Sequence, residues 1–189
     1  MTTASHRLSV AAPLAVVATL AFVVTACAPT ESPRTIPTNS SAPAPDDDKA
    51  MTDALAERDA FLEEQQLPLD GSPLVAVTEA QKQLVAQARE RAEAQGGTWT
   101  EREEWILLAL GSDTCESGIL NQHRIDAEFM MAMLSGSPLV QQLVPSDATQ
   151  SELGGRLQGI AKTAVFAAGY MCPDDKAAWD AALQEAFPE

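Results

Sequence analysis

Cations are scarce in this chain. Twelve Lys and Arg face 27 Asp and Glu, which leaves a net charge of −15 and a pI near 4.4. Such a surplus of carboxylate repels phosphates and anionic headgroups, which excludes a nucleic-acid binder and a polybasic membrane-surface protein. Aromatic residues make up only 5% of the chain, so any core must be built mainly from Ala and Leu. Histidine, the commonest acid–base catalyst near neutral pH, occurs twice, at His6 and His123. Gly-x-Ser-x-Gly, phosphate-loop, His-Glu-x-x-His, calcium-loop and Cys-x-x-Cys patterns are all missing. Strand-type alternation flanked by hairpin turns is missing too. The catalytic set is therefore empty, and 46% apolar residues over 189 positions is enough for one ordinary domain.

What is present begins with a leader. Residues 1–7 carry one cation, Arg7; Leu8 to Val24 is uncharged, and the run ends Val24-Thr25-Ala26-Cys27. A short basic region, an apolar stretch and small residues before a cut site are the parts of a secretory signal peptide. The cysteine narrows it, because a lipoprotein needs a thiol there to carry a diacylglyceryl thioether. The segment resembles a bacterial lipoprotein signal, cut between Ala26 and Cys27 with Cys27 lipidated and first in the mature chain. The alternative is an uncleaved anchor, but 17 uncharged residues containing Pro13 are short for a span that needs about 20. Each reading puts the rest of the chain outside the cytoplasm, and the lipid reading puts it on the extracytoplasmic face of the cell membrane.

Residues 28–49 contain five prolines among small and polar side chains, a composition that cannot bury apolar surface and predicts a disordered spacer. The predicted organisation is a signal peptide over 1–26, a lipidated Cys and linker over 27–49, and a helical domain over 50–189. Asp46 to Asp48 reads as a solvated terminus or the acidic start of a helix. In the domain, Met51, Leu55, Arg58 and Leu62 share a helical face that stops before Pro68. Thr78 with Gln81, Thr100 with Glu103 and Thr149 with Glu152 are three capping boxes that open further helices. The first of these carries Leu84, Val85, Ala88 and Ala92 and ends at Gly96-Gly97. The second aligns Trp105, Leu108, Ser112 and Cys115. Another helix carries Ile125, Phe129, Met130, Met133 and Leu134, followed by a short turn over Leu139 to Val144. The helix from Thr149 runs to about Met171, with Gly155, Gly159, Ala164 and Ala168 leaving room for a neighbouring backbone. Pro173 opens the last helix, with Trp179, Leu183 and Phe187 inward. The fold class is all-α, a compact bundle of about five or six helices.

Cys115 and Cys172 each lie on the apolar stripe of a helix, Cys115 seven residues after Leu108 and Cys172 four after Ala168. In an oxidising compartment, two inward thiols read as one disulfide. The stretches LALGSDTC (Leu108 to Cys115) and AAGYMCPDD (Ala167 to Asp175) resemble the two cysteine motifs of the actinobacterial domain of unknown function 732 family, over about Trp105 to Asp175. That resemblance implies a small exported helical protein or lipoprotein with one disulfide, and no established activity.

Candidate chemistry is thin. His123 lies in a polar stretch between helices, where an exposed or capping role is expected; with Asp126 it forms a bare His-x-x-Asp, a weak metal pattern. Glu101, Glu103 and Glu104 could pair for glycoside hydrolysis, although acids in a first turn are favoured by the helix dipole. Met130, Met131 and Met133 suit core packing, a partner surface or an envelope copper(I) site. No catalytic residue, cofactor or metal site is assigned. The expected function is a non-enzymatic binding or interaction module of the cell envelope, with the membrane and an envelope protein as partners. The alternatives are an envelope enzyme using acidic residues and a weak copper-binding protein.

Overall fold

The computed structural model describes the backbone of residues 45–70, 72–145 and 147–188, and side chains from Asp48 onward. The signal peptide, the Ala26–Cys27 cut, lipidation at Cys27 and the linker as far as residue 44 lie outside the described residues. Those described are helical, without strands: α1 (Pro45–Glu64), α2 (Glu79–Ala94), α3 (Glu101–Leu120), α4 (Ala127–Gly136), α5 (Pro138–Leu143), α6 (Gln150–Met171) and α7 (Lys176–Ala186), with a 3-10 turn over Pro173–Asp175. The all-α expectation holds, and the helices number seven because the turn predicted near Leu139 is the six-residue α5. Ser137 caps it through Val140 N–H, and Pro138 supplies a preset first residue. α1 starts at Pro45, so the last five residues of the predicted linker are helix. A first-position proline followed by three aspartates is a favourable helix start.

The three predicted capping boxes all form. α2 ends in a Schellman motif, with Gly97 N–H donating to Ala92 O at 2.8 Å and Gly96 N–H to Glu93 O at 2.9 Å. Gly96 takes φ +76° there, a conformation glycine adopts without Cβ strain.

α3 is the central helix, packed on α1, α2 and α6, while α7 packs on α4 and α6. Leu107, Leu108, Leu110, Cys115 and Ile119 of α3 are buried, each large aliphatic contributing about 1.5–3 kcal/mol relative to exposure. α3 and α6 approach closely. A Cβ on Gly111 would stand 2.7 Å from Met171 Sδ and 2.9 Å from Ala167 Cβ, so only glycine fits. Ala161, Ala164, Ala167 and Ala168 form the facing surface of α6. Gly155 and Gly159, expected to admit a neighbouring helix, instead face open space; the close approach, at Ala167 and Met171, lies about two to three turns beyond Gly159. The predicted bridge forms between Cys115 and Cys172, Cα–Cα 5.9 Å, joining the middle of α3 to the end of α6. No described helix is long and apolar enough to cross a membrane.

Two predicted faces are corrected. Met51 and Leu55 are 48% and 42% exposed, and the buried line of α1 runs through Ala54, Phe61 and Gln65, with Leu62 beside it. Gln65 tolerates burial because its polar atoms are used: Nε2 donates to Met171 O, Oε1 accepts from Gln81 Nε2 at 3.4 Å, and the backbone carbonyl accepts from the same Nε2 at 2.8 Å. Gln81, fully buried, also accepts from the N–H groups of Val77 and Thr78, so one side chain caps α2 and ties it to α1. Trp105, expected inward, is 39% exposed. It lies only in the first turn and a half of α3, and the neighbouring Leu107 and Leu108 supply the inward face there.

Candidate functional site

His123 is placed by a strained turn. After α3 ends at Leu120, Gln122 and His123 take φ +56° and +57°, left-handed geometry that is unfavourable for residues with a Cβ. Gln122 N–H donates to Ile119 O and His123 N–H to Gly118 O, both at 2.8 Å, closing a Schellman pair without glycine. The imidazole thereby bridges two other elements. Nδ1 lies 2.8 and 2.9 Å from the Asp175 carboxylate oxygens in the 3-10 turn, and Nε2 lies 3.1 Å from Glu57 Oε1 on α1. Asp175 is buried, its Oδ2 3.4 Å from where a Cβ on Gly118 would stand. Partial burial pulls the His123 pKa down, but hydrogen bonds to Asp175 and Glu57 outweigh it and hold the pKa above its ordinary value.

Those contacts occupy both ring nitrogens. As an imidazolium the ring donates from both nitrogens and keeps no lone pair for a general base. Glu57 and Asp175 meet opposite ends of the ring, so they do not converge on one point. Among the described residues no group of three or more His, Cys, Asp or Glu could hold a metal ion. Asp126, the sequence-stated companion of His123, instead caps α4, Oδ1 accepting from Phe129 N–H at 2.8 Å. His123 is exposed, as expected, and in addition is an ion-paired strut between Asp175 and Glu57. A His pKa raised on folding stabilises fully below its unfolded value of about 6.5, and the effect fades as pH rises through the folded pKa. His123→Ala should therefore lower Tm by about 3 °C at pH 5.5, corresponding to about 1 kcal/mol for a partly exposed pair, and by less at pH 9. Equal losses at both pH values, measured by thermal unfolding, would contradict the strut.

The other candidates separate. Glu103 closes the capping box of α3, its Oε2 accepting from Thr100 N–H at 3.0 Å, and the Thr100 hydroxyl holds its carboxyl below the usual range. Glu104 faces Arg89 at 3.8 Å and accepts from Ala76 N–H, and Glu101 is exposed. These carboxylates serve different partners and form no catalytic pair. Met130 is buried, Met133 half-buried and Met131 37% exposed, so the core-packing role falls to Met130 and Met133.

Sequence reasoning missed a groove of about 410 Å³ between α2, the start of α3 and α6. Ala88, Ala92, Trp99, Ile106 and Phe166 give it an apolar lining, and Arg91 and Lys162 are its exposed cations. The Arg91 guanidinium stands 4.1 Å from the centroid of the Phe166 ring, a cation–π stack. Trp99 has its indole N–H buried without an acceptor among the described residues. Lys162 was visible only as a charge interrupting an apolar helix, and Arg91 only as the basic residue in the last turn of α2. A groove of this size falls within the range of small-ligand sites. Comparison with protein-family models, with curated proteins and with solved structures finds no match for the chain.

Proposed function

We propose that this chain is an exported lipoprotein, akin to the domain of unknown function 732 family, that works as a non-enzymatic binding module of the cell envelope. The observation that carries the binding role is the apolar groove with its two cations. The Cys115–Cys172 bridge favours export, since structural disulfides persist in oxidising compartments. Cys27 would hold the domain at the extracytoplasmic face, and residues 28–44 would act as a spacer of up to about 50 Å if extended. Two or three acyl chains give durable anchoring, because each buried methylene contributes about 0.8 kcal/mol. Hydrolysis by paired carboxylates has no support in the geometry of Glu101, Glu103 and Glu104.

Replacing Cys27 by Ser tests the anchor. The parent chain is expected in the membrane fraction, with acyl groups on its first residue by mass spectrometry. The variant is expected either released or unprocessed at Ala26. A Cys27→Ser chain that is still cut and still membrane-bound would overturn the lipoprotein reading.

A further inference from the structure

We propose that the groove between α2, α3 and α6 binds a single-chain amphiphile with an anionic head, its acyl chain lying along Trp99, Ile106 and Phe166 and its head held by Arg91 and Lys162. The proposal rests on the binding-module reading and names its ligand class. Charge is the first argument. In a chain of net charge −15, Arg91 and Lys162 form no ion pair among the described residues, and both line the same apolar groove. Glu103, also in the groove lining, is held as a carboxylate by the Thr100 helix cap, so the lining carries two positive charges and one negative. A net positive lining beside an apolar surface is complementary to an anion that carries a hydrocarbon tail.

Geometry is the second argument. A guanidinium stacked on a ring face keeps its in-plane N–H donors free for a carboxylate or phosphate, and Arg91 is stacked on Phe166 in this way. Size is the third. About 410 Å³ corresponds to roughly one turn of a helix 10–12 Å across, too little for a docked partner helix but suited to a bent alkyl chain. Lys162 and Arg91 are exposed, so the head would sit at the surface with the tail along the apolar lining of an open groove.

The test uses the chain from residue 27 onward carrying Cys27→Ser, so that no acyl group of its own competes. Tryptophan quenching by 9,10-dibromostearate reports the tail, with its methyl ester and a dibrominated lysophosphatidic acid as comparison arms. Saturable quenching is expected for the carboxylate, the phosphate, or both, and their relative affinity identifies the head. The methyl ester should bind at least tenfold more weakly. Trp99→Phe should remove most of the quenchable signal, and Arg91→Glu with Lys162→Glu should weaken binding at least tenfold. Both residues are exposed; if the reversed pair loses helical circular dichroism, Arg91→Gln with Lys162→Gln replaces it, with a smaller but measurable loss expected. No quenching by any arm, equal binding of the ester, or unchanged binding by the charge variants would overturn the ligand class. Ligand binding that survives while Cys27→Ser fails its fractionation test would strike the anchor alone, and the converse would strike the groove alone.

Discussion

Replacing Cys115 and Cys172 together by Ala is expected to lower Tm by about 10–15 °C. The bridge closes a loop with a sequence separation of 57, which in the chain-entropy estimate stabilises the fold by about 4 kcal/mol. A domain of this size has about 5–15 kcal/mol in total and moves roughly 3 °C per kcal/mol. The effect is large here because the α3–α6 contact it fastens is made of Gly111 against Ala167 and its alanine neighbours. Alanines allow close approach but bury little area each, so the cross-link carries a share that larger side chains would carry elsewhere. Calorimetry of the parent with reductant should reproduce the double variant. A shift below about 3 °C would show that the bridge is not a principal support.

Trp179→Ala comes next in size, with an expected loss of about 3–5 kcal/mol. The indole is fully buried, 6.0 Å from Phe129 between ring centroids, and it fills the space where α7 meets α4 beside Gly118. Its N–H is buried without an acceptor among the described residues, a state that itself costs about 1–3 kcal/mol. Trp179→Phe removes that donor and keeps most of the ring, so its loss should stay below about 1.5 kcal/mol. Urea midpoints of the two variants separate the contributions, and equal losses for Phe and Ala would refute the assignment.

Local signals in the sequence were readable where they were chemically complete within a few residues. Thr78–Gln81, Thr100–Glu103 and Thr149–Glu152 each needed only their own turn to form. The disulfide was readable because two thiols sat on apolar stripes with no competing partner in the domain. The face of α1 was not, because hydropathy favours Met51 and Leu55 over Gln65. Only the amide's bonds to residues 16 and 106 positions away make Gln65 the inward residue. His123 failed for the same reason: its carboxylates are 52 and 66 positions distant, and periodicity cannot rank such pairings. The groove combines Arg91, Trp99 and Lys162 from three separate segments, none with a motif of its own.

The Cys115–Cys172 bond also changes what a break in the chain means. From Cys115 to Cys172 the molecule has two covalent routes, one through the peptide backbone and one through sulfur. The exposed stretch around Pro145 and Asp147 lies inside that ring. A protease that cuts there opens the ring without dividing the molecule. α6 and α7 stay linked to α3, and with them both walls of the groove, until a reductant is present. Shedding from a surface would then require two chemistries, hydrolysis and reduction, instead of one.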